Sequence, residues 1–410
     1  MRAMGRDPNW ADKDFYHEGH PIGARRYKVV EMKAMVKAGF HNKVDCPTSI
    51  EIDLPQHMHG AKLIDSYSGR ETPCQLDFIG EKRARLSWIE NISRGQERVY
   101  NLLIQPEQRA PDAVTLTERA DEVDMILRGG LFTTYHFSNS LARPFLHPVI
   151  GPYGKPVTRG FPMIPDDPKE VKDHPHHRSI WVAHGDVNGV DNWSEEKGHG
   201  RTVHRGFQVK RFGPVLSEVV ALGDWVSSTG EKVLSERRTM RAYNCSDDHK
   251  ILDVDIELAP VTGDVTFGDT KEGGIISVRV ASSMDVERGG MIQNSYGAIN
   301  EAETWGKRAH WCDYSGQVDG DRVGIAVFDH IANFRHPTYW HVRDYGLMTA
   351  NPFGISYFTG DPNNKGTYTL RSKDKLMFRY RILIHKGDAV EGIIAERYHD
   401  YVNPPFVSIS

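Results

Sequence analysis

The chain has 410 residues, 39% hydrophobic and 26% charged, with a mean hydropathy of -0.52; at ~150 residues per domain this suggests two domains or one large β architecture with an appendage. No apolar run approaches the ~20 residues that a membrane-spanning helix needs, which argues against an integral membrane protein. Fifty-one Lys and Arg against 55 Asp and Glu leave a formal charge of -4, which argues against general nucleic-acid binding, because that needs a basic surface.

Residues 1–25 are polar and contain Gly5, Pro8, Gly19, Pro21 and Gly23. They read as an N-terminal arm, docked through Trp10, Phe15 and Tyr16. The arm lacks an apolar h-region, so it is not an intact signal peptide. A cytoplasmic protein and an exported one whose leader has been removed both fit.

Between 26 and 110 short β-like runs recur: 27–32, 48–54, 75–79, 85–89 and 98–104. In the second, Ile50, Ile52 and Leu54 face one way. Strands at this spacing predict a small antiparallel β-sandwich. Gln105 to Asp112, with Pro106 and Pro111, reads as a linker.

From 111 to 410 the strand signal continues and predicts a large antiparallel β-sandwich. Lys250–Leu258 sets Leu252, Val254, Ile256 and Leu258 against acids on the other face. Runs 275–280, 323–328 and 376–385 are equally plain. Only 389–401 has a helical pattern. The four cysteines (Cys46, Cys74, Cys245, Cys312) are scattered without a CxxC pair, which argues against a structural zinc knuckle, a thioredoxin-type site or a disulfide scaffold.

Histidine is over-represented: of 20, eight fall between 136 and 204 and four between 310 and 341. The densest segment is Asp173-His174-Pro175-His176-His177-Arg178. In an extended chain His174 and His176 point to one side and His177 to the other. Such imidazoles could hold a divalent metal ion (His174 with His176), move protons (His176, His177), or be structural. Asp173 could orient an imidazole. Phe267–Gly274 places Asp269, Lys271 and Glu272 among glycines, where backbone and carboxylates can approach a ligand. Segments 304–316 and 336–354 interleave aromatics with charged and amide groups, a mixture suited to sugars: flat rings stack on C–H faces while polar groups bind hydroxyls. The substrate-binding candidates are Arg178, Asn188, Lys271, Trp305, Trp340, His341, Arg343 and Asn351. There is no GxSxG elbow, Walker loop or strand-borne GxGxxG.

The segments 142–163, 173–193 (DHPHHRSIWVAHGDVNGVDNW), 200–207, 267–274 (FGDTKEGG), 305–316 and 336–354 resemble the PmoA-like family of bacterial proteins. The resemblance covers most of 30–400. It implies a carbohydrate-degradation context and a β-sandwich of the galactose-mutarotase-like supersandwich type. It supplies no reaction; the membrane-bound monooxygenase that the family name evokes does not fit a chain without a membrane segment.

The expected function is therefore a carbohydrate-active enzyme that cleaves or rearranges a glycoside, as hydrolase or lyase, on a uronic or keto-sugar. His176 or His177 would act with Glu272, or with Asp344 or Asp269. A non-catalytic carbohydrate-binding protein and a metal-dependent oxidoreductase are the alternatives. The partner is a carbohydrate or glycoside, with neither nucleic acid nor membrane expected.

Overall fold

A computed structural model describes residues 29–55, 58–106 and 111–410. The expected arm at 1–25 lies outside the described residues, as does part of the linker. The chain is mostly β, 52% strand and 7% helix, and no described helix is long and apolar enough to cross a membrane.

The small sandwich has two sheets. Lys43–Asp53, Arg83–Ile92 and Cys74–Phe78 form one. Val30–Lys37, Glu97–Gln105, Gly60–Asp65 and Glu71–Thr72 form most of the other. The period-2 reading holds: Ile52 and Leu54 enter the core and Ile50 packs against it. Trp88 lies at its centre and donates from Nε1 to the buried Glu90 at 2.8 Å. Arg98 and Tyr100 satisfy the same carboxylate.

One boundary differs from expectation. The last strand, Phe406–Ile409, leaves the large unit and pairs antiparallel with Val30–Lys37. Pro404 and Pro405 interrupt the chain before it, and Phe406-Val407-Ser408-Ile409 does not alternate strictly between apolar and polar.

The large unit stacks two eight-stranded antiparallel sheets. The first contains, in order, Tyr339–Arg343, Leu347–Asn351, Gly273–Arg279, Ile180–His184 and Phe145–Val149, then three more strands reaching back to Val114–Arg119. The second is centred on Lys232–Tyr243, His249–Pro260 and Leu376–Lys386. Leu252, Val254, Ile256 and Leu258 share one buried cluster with Ile180, Val182, Ile276 and Val278. Each such side chain removed from water contributes about 1.5–3 kcal/mol.

The acids on the opposite face are matched by cations. Arg381 grips Asp253 through two bonds of 2.7 and 2.9 Å, and Arg241 reaches Asp255 at 2.8 Å. The small sandwich docks on this side. Gln75 Oε1 accepts from the Val215 and Leu216 amides, and Arg85 reaches toward Glu218. The outer face of the first sheet is the one that carries the clustered histidines.

The helix is Ile394–Val402, five residues later than the pattern suggests. Gly387–Ile393 is spent on a turn that ends with Ile393 at φ 48. Gly392 passes so close to His385 that a Cβ there would lie 2.5 Å from the ring Nδ1.

Gly274 sets the first sheet's central strand beside its neighbour. Its φ is 156, and a Cβ would sit 2.2 Å from the Ala350 carbonyl oxygen, a backbone atom that cannot yield cheaply. Gly274→Ala is expected to cost about 2–3 kcal/mol, read as a lowered urea midpoint at unchanged m-value.

Candidate functional site

Strand alternation decides which side chains face outward from the first sheet. Ile180 and Val182 enter the core, so Trp181 points away from it; Trp340 and Val342 enter, so His341 points away. The register places Trp181 opposite Ser277, Ser277 opposite Thr349, and Thr349 opposite His341. This row crosses four strands and forms the floor of the site.

Above it the segment after Asp173 is a tight turn. His174 adopts φ 41, and the His177 amide donates to the His174 carbonyl at 2.9 Å. The turn overrides the extended reading. His174 and His177 stack on each other at 4.7 Å and 7°, leaving His176 to one side. The stack continues to Tyr345 above His174 (5.0 Å, 12°) and to Trp181 below His177 (5.3 Å, 21°).

Two guanidiniums support this column from within. Arg159 and Arg279 are both 0% exposed, and both bind Oδ1 of Asp173. Arg279 also donates from Nη1 to His177 Nδ1 at 3.0 Å and lies over the Tyr345 ring. That bond needs a lone pair on Nδ1, so His177 is the neutral Nε2–H tautomer. Burial first, then His176 and Arg279, hold its pKa far below the ordinary histidine value. His177 is thus an orienting residue sealed in the column. Asp173 resists its own burial because Arg279, His174 and Arg159 keep its carboxyl below the usual range.

His176 is different. It is half-buried, set edge-on to Trp193 (5.8 Å, 71°), and makes no hydrogen bond among the described residues. Burial, then the charges of Arg143 and His174, push its pKa down to about 4. The opposing pull comes from Glu195 and Glu272. Glu195 is gripped by Arg178 at 3.0 and 2.8 Å and by the buried Arg143. Glu272 is half-exposed, pairs with Lys271, and lies near enough to bias both His176 and Tyr345. Trp193 packs against His176 and lies beside Gly273, the residue after Glu272, while Tyr345 stacks on His174; these neighbours group His176, Glu272 and Tyr345 as the candidate basin.

Arg343 borders it too, lying over the Tyr345 ring and paired with Glu301 at 3.1 Å. His341 is buried on the floor, edge-on to Trp305, and burial with Lys271 and Arg343 pushes its pKa down to about 3.

Five sequence candidates stand elsewhere. Trp340, 1% exposed, belongs to the core and donates to the Ala309 carbonyl at 2.9 Å; as the neighbour of His341 in a strand it must face the other way. Asn351 is buried and holds the 268–273 loop in place, donating to the Thr270 carbonyl and accepting from the Phe353 and Gly354 amides. Asp344 accepts from the Glu301 amide and serves the turn there. Asn188 lies with Asp269 in a separate hollow of about 960 Å³, where its Oδ1 accepts from the Thr266 amide.

The metal reading of His174 with His176 finds no support in the geometry. Nδ1 of His174 faces Asp173 at 3.0 Å, the two rings stand 5.9 Å apart at 70°, and among the described residues no three His, Cys, Asp or Glu side chains gather to hold a metal ion.

Sequence reasoning missed Tyr345, Arg279, Arg143 and Glu195. Tyr345 stood inside a segment already singled out. Arg279 carried no local signal, because alternation assigns a strand's charged residue to a wet face.

A family model described as a family of unknown function (DUF6807) matches residues 122–399, a span holding every residue of the basin. No curated protein matches the chain.

Proposed function

The chain belongs to that family, and we propose that its basin cleaves or rearranges a glycoside by histidine and carboxylate acid–base chemistry, on a sugar bearing a carboxylate. The observation that carries this reading is His176: an imidazole without a hydrogen-bond partner among the described residues, within reach of the charge of Glu272, beside two clusters in which arginines outnumber the acid they share. Arg159 and Arg279 share Asp173; Arg143 and Arg178 share Glu195.

The charge pattern bears on the chemistry. A base whose pKa lies near 4 is available at neutral pH but accepts a proton weakly. An anionic substrate arriving beside His176 offsets Arg143 and raises the pKa of the imidazole toward the working pH. The residue then becomes an effective acid–base group only when a uronate is bound. In elimination, one of His176 and Glu272 removes the proton next to the carboxylate. The electron pair forms the new C=C bond, the glycosidic C–O bond breaks, and the other group protonates the leaving oxygen. Arg343 and Lys271 steady the charge that develops on the substrate. In hydrolysis the same pair activates water and protonates the leaving oxygen.

A second reading, carbohydrate binding without turnover, is favoured by one feature: Arg178, Lys271 and Arg343 already have carboxylate partners. Incubation with uronate-containing and neutral polysaccharides separates the readings. Reducing ends accompanied by the ultraviolet absorbance of an unsaturated uronate indicate elimination, and reducing ends alone indicate hydrolysis. Retention on a glycan without product indicates a binding protein. Neither product nor retention on any glycan removes the proposal.

A further inference from the structure

Between the small sandwich and the outer face of the second large sheet lies a cavity of about 370 Å³, far from the basin. Its wall combines Arg85, Arg241 and Arg381 with Ser87, Tyr243 and Trp88. Each arginine is held from behind by acids. Arg241 gives Nε to Glu218 and Nη1 to Asp255, and Arg381 gives Nε and Nη2 to Asp253. Arg85 reaches Glu218 and Glu51 only at 3.5 and 4.0 Å. Nη2 of Arg241 and Nη1 of Arg381 have no partner among the described residues.

A second observation is independent of the arginines. Ser87 is 3% exposed, and its Oγ is buried without a hydrogen-bond partner. An unmatched buried hydroxyl is costly, and Nη2 of Arg241 and Nη1 of Arg381 add two donors without acceptors to the wall that Arg85 shares. Of the two acids on the wall, Glu51 pairs with Arg83, and Asp400 has the charge of Lys43 3.3 Å away although its Oδ1 makes no hydrogen bond among the described residues.

We infer that this interdomain cavity binds a phosphate group, free or carried by a small molecule. A tetrahedral oxyanion accepts from planar guanidinium forks and a hydroxyl at once, and the volume leaves room for a small organic body against Trp88 and Leu216. Bound there, the anion ties the small sandwich to the large one. The inference does not depend on the activity proposed for the basin.

Isothermal titration with inorganic phosphate, at ionic strength fixed with sodium chloride, tests it. One saturable site is expected, weakened at least tenfold in Arg85→Met and about threefold in Ser87→Ala, with folding of each variant checked by circular dichroism. Because Ser87→Ala removes only an oxygen, it keeps the test decisive if Arg85→Met does not fold. Glucose 6-phosphate binding more tightly than inorganic phosphate identifies a carried group, and the reverse identifies the free ion. No saturable binding of either, or wild-type affinity in the folded variants, overturns the inference.

Discussion

His176→Ala is expected to lower kcat/KM on a cleaved glycoside by about two to four orders of magnitude, the range that a positioned acid–base group supplies. Glu272→Gln should fall in the same range, because the reaction needs both a proton acceptor and a proton donor. Neither change should unfold the protein: His176 has no hydrogen bond to lose among the described residues, and Glu272 is half-exposed. His177→Ala makes an informative contrast. It removes the ring that Arg279 and Trp181 hold, so it should depress stability along with activity. The pH profile gives a further check. In the free enzyme the working form of His176 is the neutral imidazole, so kcat/KM should fall as pH drops through about 4. The kcat profile, which reports the substrate complex, should have its acid limb at higher pH if the substrate is anionic. Wild-type turnover in folded His176→Ala would exclude that imidazole, and an unmoved acid limb would exclude an anionic group beside it.

The fold was legible because its strands are amphipathic. Period-2 patterning over Lys250–Leu258 put the right four side chains in the core, and the glycines of 267–274 marked a loop that presses on its neighbours: a Cβ on Gly268 would lie 1.9 Å from Asp186 Oδ2. The site was legible as a neighbourhood but not as a geometry. The segment around His176 and the loop bearing Glu272 both approach Trp193. Which residue faces the basin depended on parity and turns that composition does not reveal. Trp340 and His341 differ by one position, hence by one face. His174 and His177 stack because a positive φ at His174 closes a turn. Arg279 sits in a strand whose polar face would ordinarily be wet, yet loops cover it and it becomes a buried support.

That support leads to the largest expected stability effect. Asp173→Asn should destabilise the protein by about 3 kcal/mol. The low end of the cost of breaking a buried ion pair applies, because Asp173 is itself partly reached by water. The loss is that large because one neutral amide would face two guanidiniums that no water reaches. Arg159 already shows the strain of that neighbourhood: burial, with Arg279 beside it, pushes its pKa down to about 10. The pH dependence has a definite sign. Arginine neighbours hold the folded Asp173 carboxyl below its unfolded value of ~3.9, so its contribution is fully present above ~pH 4 and is lost as pH falls through the folded pKa. Urea unfolding of wild type and Asp173→Asn should therefore differ by a constant amount between pH 5 and 7, assay conditions chosen at about that range. The gap should close below ~pH 4. A gap of similar size at every pH would mean that the substitution acts through packing and not through the lost charge. No gap at all would mean that the two arginines do not depend on this carboxylate, and the column of rings would then need another anchor.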